Sequence, residues 1–358
     1  MNTNECSKNK TLWAKDDIDS RNRILNVLKS VNYRRSIKLP QNIWFDETDK
    51  GVKMSLSNAA IGLGNDNNLN MQENAAAFEG WAVSIYTHYL APLNSKDLRK
   101  RKIILGLQEK TDIMQNVTGK NGHFNRFLYR AMRFSEEYGE WIELEPDLEE
   151  AVNLFRKNFR KEEFINNKPD LSKRKLKSKL TDNPTKEDEV ENTFVEREDL
   201  RRKLLDRANM KTDKLYRQLP VGLFKGEVNK NNSIFTGGKS AIDLWAIDDE
   251  YIALFELKTN NIMIGIITEL FFYSEFVYDI FINRENINKA DLKDKETGYY
   301  ELAPDETKNK KIKAYFLTNG IHPLITKEVI GVLNSGKKGK EGLIRYDIID
   351  YDLSVNMN

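Results

Sequence analysis

Two apolar runs separated by three acidic residues stand out between Asp243 and Lys258, which reads DLWAIDDEYIALFELK. Both are rich in Ile, Leu, Phe, Trp and Tyr. The pattern predicts β-strands at Ala241–Ile247 and Tyr251–Lys258, with Asp248, Asp249 and Glu250 as turn formers. Alternate side chains of a strand share a face, so Glu256 and Lys258 point the same way as Ile252 and Leu254. A loop of Asp249 and Glu250 opposes residue 248 to 251, 246 to 253 and 243 to 256. Opposed residues of an antiparallel pair share a face. This register gathers Asp243, Glu256 and Lys258 on one patch.

After Lys258 the period changes. Ile262–Phe281 is long, apolar and free of Pro, and predicts a core helix entered through capping positions at Thr259, Asn260 and Asn261. Glu269 and Tyr273 lie four apart, on one face of it. Lys311–Thr318 predicts a buried strand, Thr326–Asn334 a short helix ended near Gly336, and Leu343–Leu353 a strand with partial alternation.

The first half of the chain alternates less regularly. Helices are expected at Ser20–Asn32, at Met71–Leu90 with Phe78, Trp81, Ile85 and Tyr89 buried, and at His123–Tyr138. Another helix should open at Pro146 and run to about Phe164. Short strands are expected at Asn42–Phe45, Val52–Leu56, in the IILGL segment and at Trp141–Leu144. The His123–Tyr138 helix buries Phe127, Leu128, Ala131, Phe134 and Tyr138. Its other face carries Arg126, Arg130 and Arg133, which suit either a nucleic-acid backbone or acidic neighbours such as Glu136 and Glu140. Residues 166–193 are polar and read as a charged linker, basic at 173–180 and acidic at 186–191. Phe194–Leu219 predicts a helix broken near Asn209. Strand-like segments follow at Val221–Val228 and Ser233–Gly237. The organisation expected is an N-terminal recognition or assembly domain (1–165), the linker (166–193) and a C-terminal domain (194–358).

Composition adds limits. The 358 residues carry 57 basic and 55 acidic side chains, a net charge of +2, so any nucleic-acid surface must be local. A single cysteine, Cys6, excludes a disulfide framework within the chain and a cysteine zinc cluster. His88, His123 and His322 are too scattered for a histidine metal site. The first ten residues lack an apolar core, and the most apolar run, 262–272, holds Thr268 and Glu269. A cytoplasmic protein without a membrane partner is expected.

Two carboxylates converging inside an apolar hairpin repel each other and are costly to desolvate. A positive group is needed between them, either Lys258 or a hard divalent cation with oxygen ligands and waters. Together these parts suit phosphodiester hydrolysis.

Asp243 followed by Glu256-Leu257-Lys258 resembles the signature of the PD-(D/E)XK nuclease superfamily, with Ile242 where many members carry Pro. The resemblance covers about residues 195–350. It implies a C-terminal restriction-endonuclease-like αβββαβ core with a mixed sheet, here preceded by a mainly helical α+β N-terminal domain. It implies a Mg²⁺-dependent endonuclease acting on DNA, with Mn²⁺ as a substitute metal and RNA as an alternative substrate. Restriction or antiviral defence is the setting it suggests. Asp243, Glu256 and the Leu257 carbonyl would bind the metal, and Lys258 would position or activate the attacking water. Glu269 and Tyr273 stand where several subfamilies carry a Gln-x-x-x-Tyr signature. An acidic residue is also expected before the hairpin, and Asp213 and Glu227 are the candidates. Double-strand cleavage would favour a homodimer. The competing expectations are a nucleic-acid-binding module that kept the fold without cleavage, and an ordinary ion pair on a sheet.

Overall fold

The computed structural model describes residues 15–31, 36–64, 67–96, 100–109, 113–117, 120–161, 164–167, 184–236, 240–260, 262–283, 287–288 and 298–353. Cys6, Gly119, the basic stretch 173–180, Gly237 and Asn261 lie outside these residues.

The architecture is mixed α/β, with three sheets among the described residues. The C-terminal sheet has five strands in the order β12-β11-β9-β8-β6. They are β6 (Tyr216–Val221), β8 (Ser240–Ile247), β9 (Tyr251–Lys258), β11 (Lys311–Thr318) and β12 (Ile344–Asp350). β6, β8 and β9 run antiparallel in sequence, while β9, β11 and β12 are parallel. The predicted hairpin is present with its register: Ala246 opposes Ala253 and Ile247 opposes Ile252. Asp248 fixes its tip, accepting from the N–H groups of Glu250 (2.9 Å) and Tyr251 (2.8 Å).

The helix after β9 spans Gly265–Val277 and continues as a π-helical turn over Tyr278–Asn283. It starts later than expected, and Ile264, not an Asn or Thr, occupies its N-cap without a side-chain bond. Asn260 instead adopts a left-handed φ of 55° and pairs with Asn319. All residues from Gly265 to Val277 are buried. A helix buried on all its faces must be covered on every side, and the N-terminal half supplies the second cover.

That half holds a four-stranded sheet in the order β1-β2-β3-β4, formed by β1 (Ile43–Thr48), β2 (Gly51–Leu56), β3 (Lys102–Leu107) and β4 (Ile142–Leu144). β1 and β2 form an antiparallel hairpin, and β2, β3 and β4 are parallel. This repeats the order and sense of β8, β9, β11 and β12, with a helix between each parallel pair. Its central helices, Phe78–Ile85 and Gly122–Tyr138, pack against Gly265–Val277. Phe134 meets Phe271 at 5.3 Å and Tyr129 meets Phe272 at 5.8 Å between ring centroids. Gly80 permits close approach: a Cβ there would lie 2.7 Å from the Ile264 carbonyl oxygen.

One hydrophobic core therefore runs from Ile24 through Phe271 to Tyr346. A small third sheet ties the halves further, with β5 (Phe164–Asn166) between β10 (Ile287–Asn288) and β7 (Leu223–Lys225). Four sequence expectations change here. The helix opened by Pro146 ends at Phe159, and Phe164 is in a strand. Met71–Ala76 is a series of turns, and the helix begins at Phe78. The acidic end of the supposed linker is the helix Glu187–Glu196, with Val190, Glu191 and Phe194 buried. The segment after it breaks at Asn209, at a φ of 50°, but Tyr216–Leu219 is strand, not helix.

Candidate active site

The hairpin opens where the acids meet. The β8–β9 ladder closes with Leu244 opposite Phe255, so its next pair would be Asp243 and Glu256. Beyond that point β8 bonds to β6 and β9 bonds to β11. The Asp243 carboxylate enters the opening, and its Oδ2 accepts from the Leu257 N–H at 2.8 Å. Alternation then decides the faces. Phe255 and Leu257 point into the core under the Glu187–Arg207 helices. Glu256 and Lys258 point the other way, toward Glu269 on the Gly265–Val277 helix.

A second interruption lies on the opposite edge of β8. Arg217 pairs with Leu244 and Leu219 with Ile242, but Gln218, which faces Asp243, falls out of the ladder at a φ of 55°. Non-glycine residues seldom hold this conformation without a local reason. Here the Gln218 Nε2 donates to Glu191 Oε2 at 2.9 Å.

Lys258 is the cation of the cluster. Its Nζ donates to Glu256 Oε1 at 2.9 Å, lies 3.1 Å from Glu269 Oε2 and 3.9 Å from Glu187. The Glu269 contact is close but lacks hydrogen-bond alignment, and Glu269 Oε2 has no such bond. Glu256 Oε2 is likewise buried with no partner. Glu256, Lys258, Glu269 and Tyr273 are all less than a tenth exposed, while Asp243 stands half-buried at the mouth.

The electrostatics follow from this crowding. Burial first, then Asp243 and Glu269, hold the Glu256 carboxyl well above its ordinary range, against the pull of Lys258. Asp243 is raised by burial and by Glu191, and its partial access to solvent tempers that shift. Burial alone would lower Lys258, but Glu256, Glu269 and Asp243 outweigh it and hold the amine protonated. Tyr273 is held neutral by burial and by Glu256, Glu269 and Asp243. The site gathers more carboxyl groups than cations and leaves two buried carboxylate oxygens, Glu256 Oε2 and Glu269 Oε2, without a hydrogen bond, so its donor set suits a hard cation. No group of three or more His, Cys, Asp or Glu side chains among the described residues is arranged to enclose a metal. A cation held here would have Asp243 and Glu256 as side-chain ligands, completed by backbone oxygen and waters.

The structure thus brings Asp243, Glu256, Lys258, Glu269 and Tyr273 together. Neither Asp213 nor Glu227 joins them; both are exposed. The additional acid is Glu191, whose Oε2 also accepts from Arg217 Nε at 3.0 Å. Its signal was the Val190…Phe194 spacing, a helical pair hidden in a charged run. The arginine face is also reassigned. Arg130 is buried in a bidentate ion pair with Glu79, at 2.7 and 2.5 Å. Arg133 binds Asp279 and Glu136. Of the two readings of this face, acidic neighbours hold for both arginines: Glu136 is a partner of Arg133 as expected, while the buried Glu79 and Asp279 come from distant segments. Arg133 lines an acidic cleft with Glu136 and Asp279, and Arg126 borders a different one.

That cleft, of about 820 Å³, is lined by His123, Arg126, Gln218, Lys230, Thr236 and Tyr273 among others. Through Gln218 and Tyr273 it adjoins the acid cluster. Comparison with protein-family models, with curated proteins and with solved structures finds no match to this chain. No helix among the described residues is long and apolar enough to cross a membrane.

Proposed function

We propose that the chain is a Mg²⁺-dependent endonuclease that hydrolyses phosphodiester bonds of DNA at the Asp243–Glu256–Lys258 cluster. The observation that carries this reading is the convergence of two repelling carboxylates and a buried lysine where β8 and β9 part. Buried acids without full compensation are costly to a fold, and functional sites are where such arrangements concentrate. The resemblance to PD-(D/E)XK nucleases lends the same reading, as does the sequence of helix, three antiparallel strands, helix and parallel strand around the cluster.

Asp243 and Glu256 would hold the cation, with the Leu257 carbonyl as a further ligand. When bound, Mg²⁺ would supply Lewis-acid polarisation of the phosphate and an acidified water. Lys258 stays protonated, so its role is to donate, orienting the attacking oxygen and stabilising charge that develops on the phosphate. It is not the base. Glu269 holds the lysine from the helix side, and Tyr273 lies beside the acids and lines the adjoining cleft.

A second reading, a nucleic-acid-binding module without cleavage, draws on one observation: Lys258 already pairs with Glu256 and Glu269. One panel separates the two. Labelled single-stranded DNA, duplex DNA and RNA are incubated with and without Mg²⁺, with wild type and Lys258→Ala. The nuclease reading expects metal-dependent products from wild type alone. A mobility shift without products under any divalent metal would favour the binding module.

A further inference from the structure

Arg126 is 6% exposed, and its Nη1 donates to Thr236 Oγ1 at 2.9 Å. A guanidinium carries five N–H donors and never an acceptor. Among the described residues no carboxylate lies within ion-pair distance of it, in contrast to Arg130 and Arg133 one and two turns along. Burial and the neighbouring Arg130 push it down to about 10, so its charge is under-compensated. The cleft it borders has no Asp or Glu in its lining, and Lys230 adds a second positive charge. His123, beside it, has a buried Nδ1 with no partner. A buried cation with spare donors, no carboxylate within ion-pair distance and no acid lining its cleft among the described residues, suits an anion.

The ligand's chemistry follows from position. Tyr273 lines this cleft and also senses Glu256, Glu269 and Asp243. Arg126 itself senses Tyr273 and Glu269. The anion site and the acid cluster are neighbours, linked by Tyr273 and by Gln218, which lines the cleft and faces Asp243. We propose that Arg126, with Thr236 and His123, binds a non-scissile phosphate of a single nucleic-acid strand whose neighbouring phosphate lies at Asp243 and Glu256. The cleft, of about 820 Å³, has room for part of a single strand. This inference rests on the reading of the acid cluster as the cutting site, and it predicts a single strand or a frayed end as the species that enters.

The test is fluorescence anisotropy of a labelled single-stranded oligonucleotide in EDTA, where nothing is cut, titrated at several salt concentrations. Wild type, Arg126→Gln and Arg126→Lys are compared, with thermal melting to confirm folding. Arg126→Gln should bind about tenfold more weakly, with a salt slope smaller by about 0.7, the value of one single-strand phosphate. Arg126→Lys, which keeps the charge, should restore the slope and part of the affinity. Inorganic phosphate should raise the melting temperature of wild type and not of Arg126→Gln. Should Arg126→Gln not fold, Thr236→Val takes its place and should weaken the oligonucleotide several-fold. Equal affinity and slope in the folded variants would overturn the proposal, as would tighter binding of a blunt duplex than of the single strand. A wild type that cuts nothing with Mg²⁺ yet binds through Arg126 would instead refute the nuclease reading and leave the anion site standing.

Discussion

Gln218 and Asp243 face each other across β6 and β8, yet they alone fall out of a ladder that is regular on either side. Gln218 holds a φ of 55° while its amide secures Glu191. A side chain in this conformation costs about 1 kcal/mol relative to glycine. Gln218→Gly should therefore be about 1 kcal/mol more stable than Gln218→Ala in chemical denaturation, since both lose the bond to Glu191 and only one keeps the strain. Equal stabilities would show that the backbone is unstrained.

The metal-free cluster should be held back by its own acids. Raised carboxyls favour the protonated form in the fold, so their stabilising effect is lost as pH rises through and beyond the ordinary carboxylate range. Asp243→Asn keeps an acceptor for the Leu257 N–H and removes a repelling charge. It should melt higher than wild type at neutral pH without divalent metal. Added Mg²⁺ should raise the melting point of wild type and not of Asp243→Asn. A variant that melts lower, or that keeps the metal response, would contradict this account of Asp243.

Lys258 compensates two glutamates at once. Lys258→Met should destabilise the protein by about 3–5 kcal/mol at neutral pH, the usual cost of stranding a buried partner. Much of that loss should return as pH falls into the ordinary carboxylate range, where the unfolded chain takes up its protons too. A loss independent of pH would point to packing alone.

Glu275 offers a pH test away from the site. It is buried and accepts from Lys338 at 2.9 Å, while Glu137 and Asp279 crowd it. Burial above all raises its carboxyl from 4.5 to about 7. The fold then binds a proton that the unfolded chain releases, so stability should fall as pH rises between about 4.5 and 7. Glu275→Gln should flatten the melting curve across that window, and an unchanged pH profile would refute the shift.

The hairpin was legible from strand alternation, and in its even-loop register, the one observed, Asp243, Glu256 and Lys258 follow; a three-residue loop would have shifted the pairing by one. Glu269 and Tyr273 were legible as a helical pair. What stayed hidden depends on contacts across the chain. Arg130 and Arg133 look like a surface stripe until Glu79 and Asp279 arrive from distant segments. Glu191 sits in a charged run whose burial depends on Arg217 and Gln218. The matching sheets were invisible for a similar reason. At the hairpin position of Asp243 and Glu256, the first sheet pairs Ile43 with Leu56, so the backbone plan recurs without the acids. A single core joining the two halves likewise cannot be read from a polar segment at 166–193, whose composition alone resembles a tether.

The most direct measurement is the single-turnover cleavage rate of labelled DNA against Mg²⁺ concentration, for wild type and Glu256→Gln purified in parallel. The account predicts a rate in wild type that rises and saturates with Mg²⁺, and a rate at least about a hundredfold lower in the variant. Equal rates in the two proteins, or no products from wild type on any nucleic acid at any Mg²⁺ concentration, would contradict it.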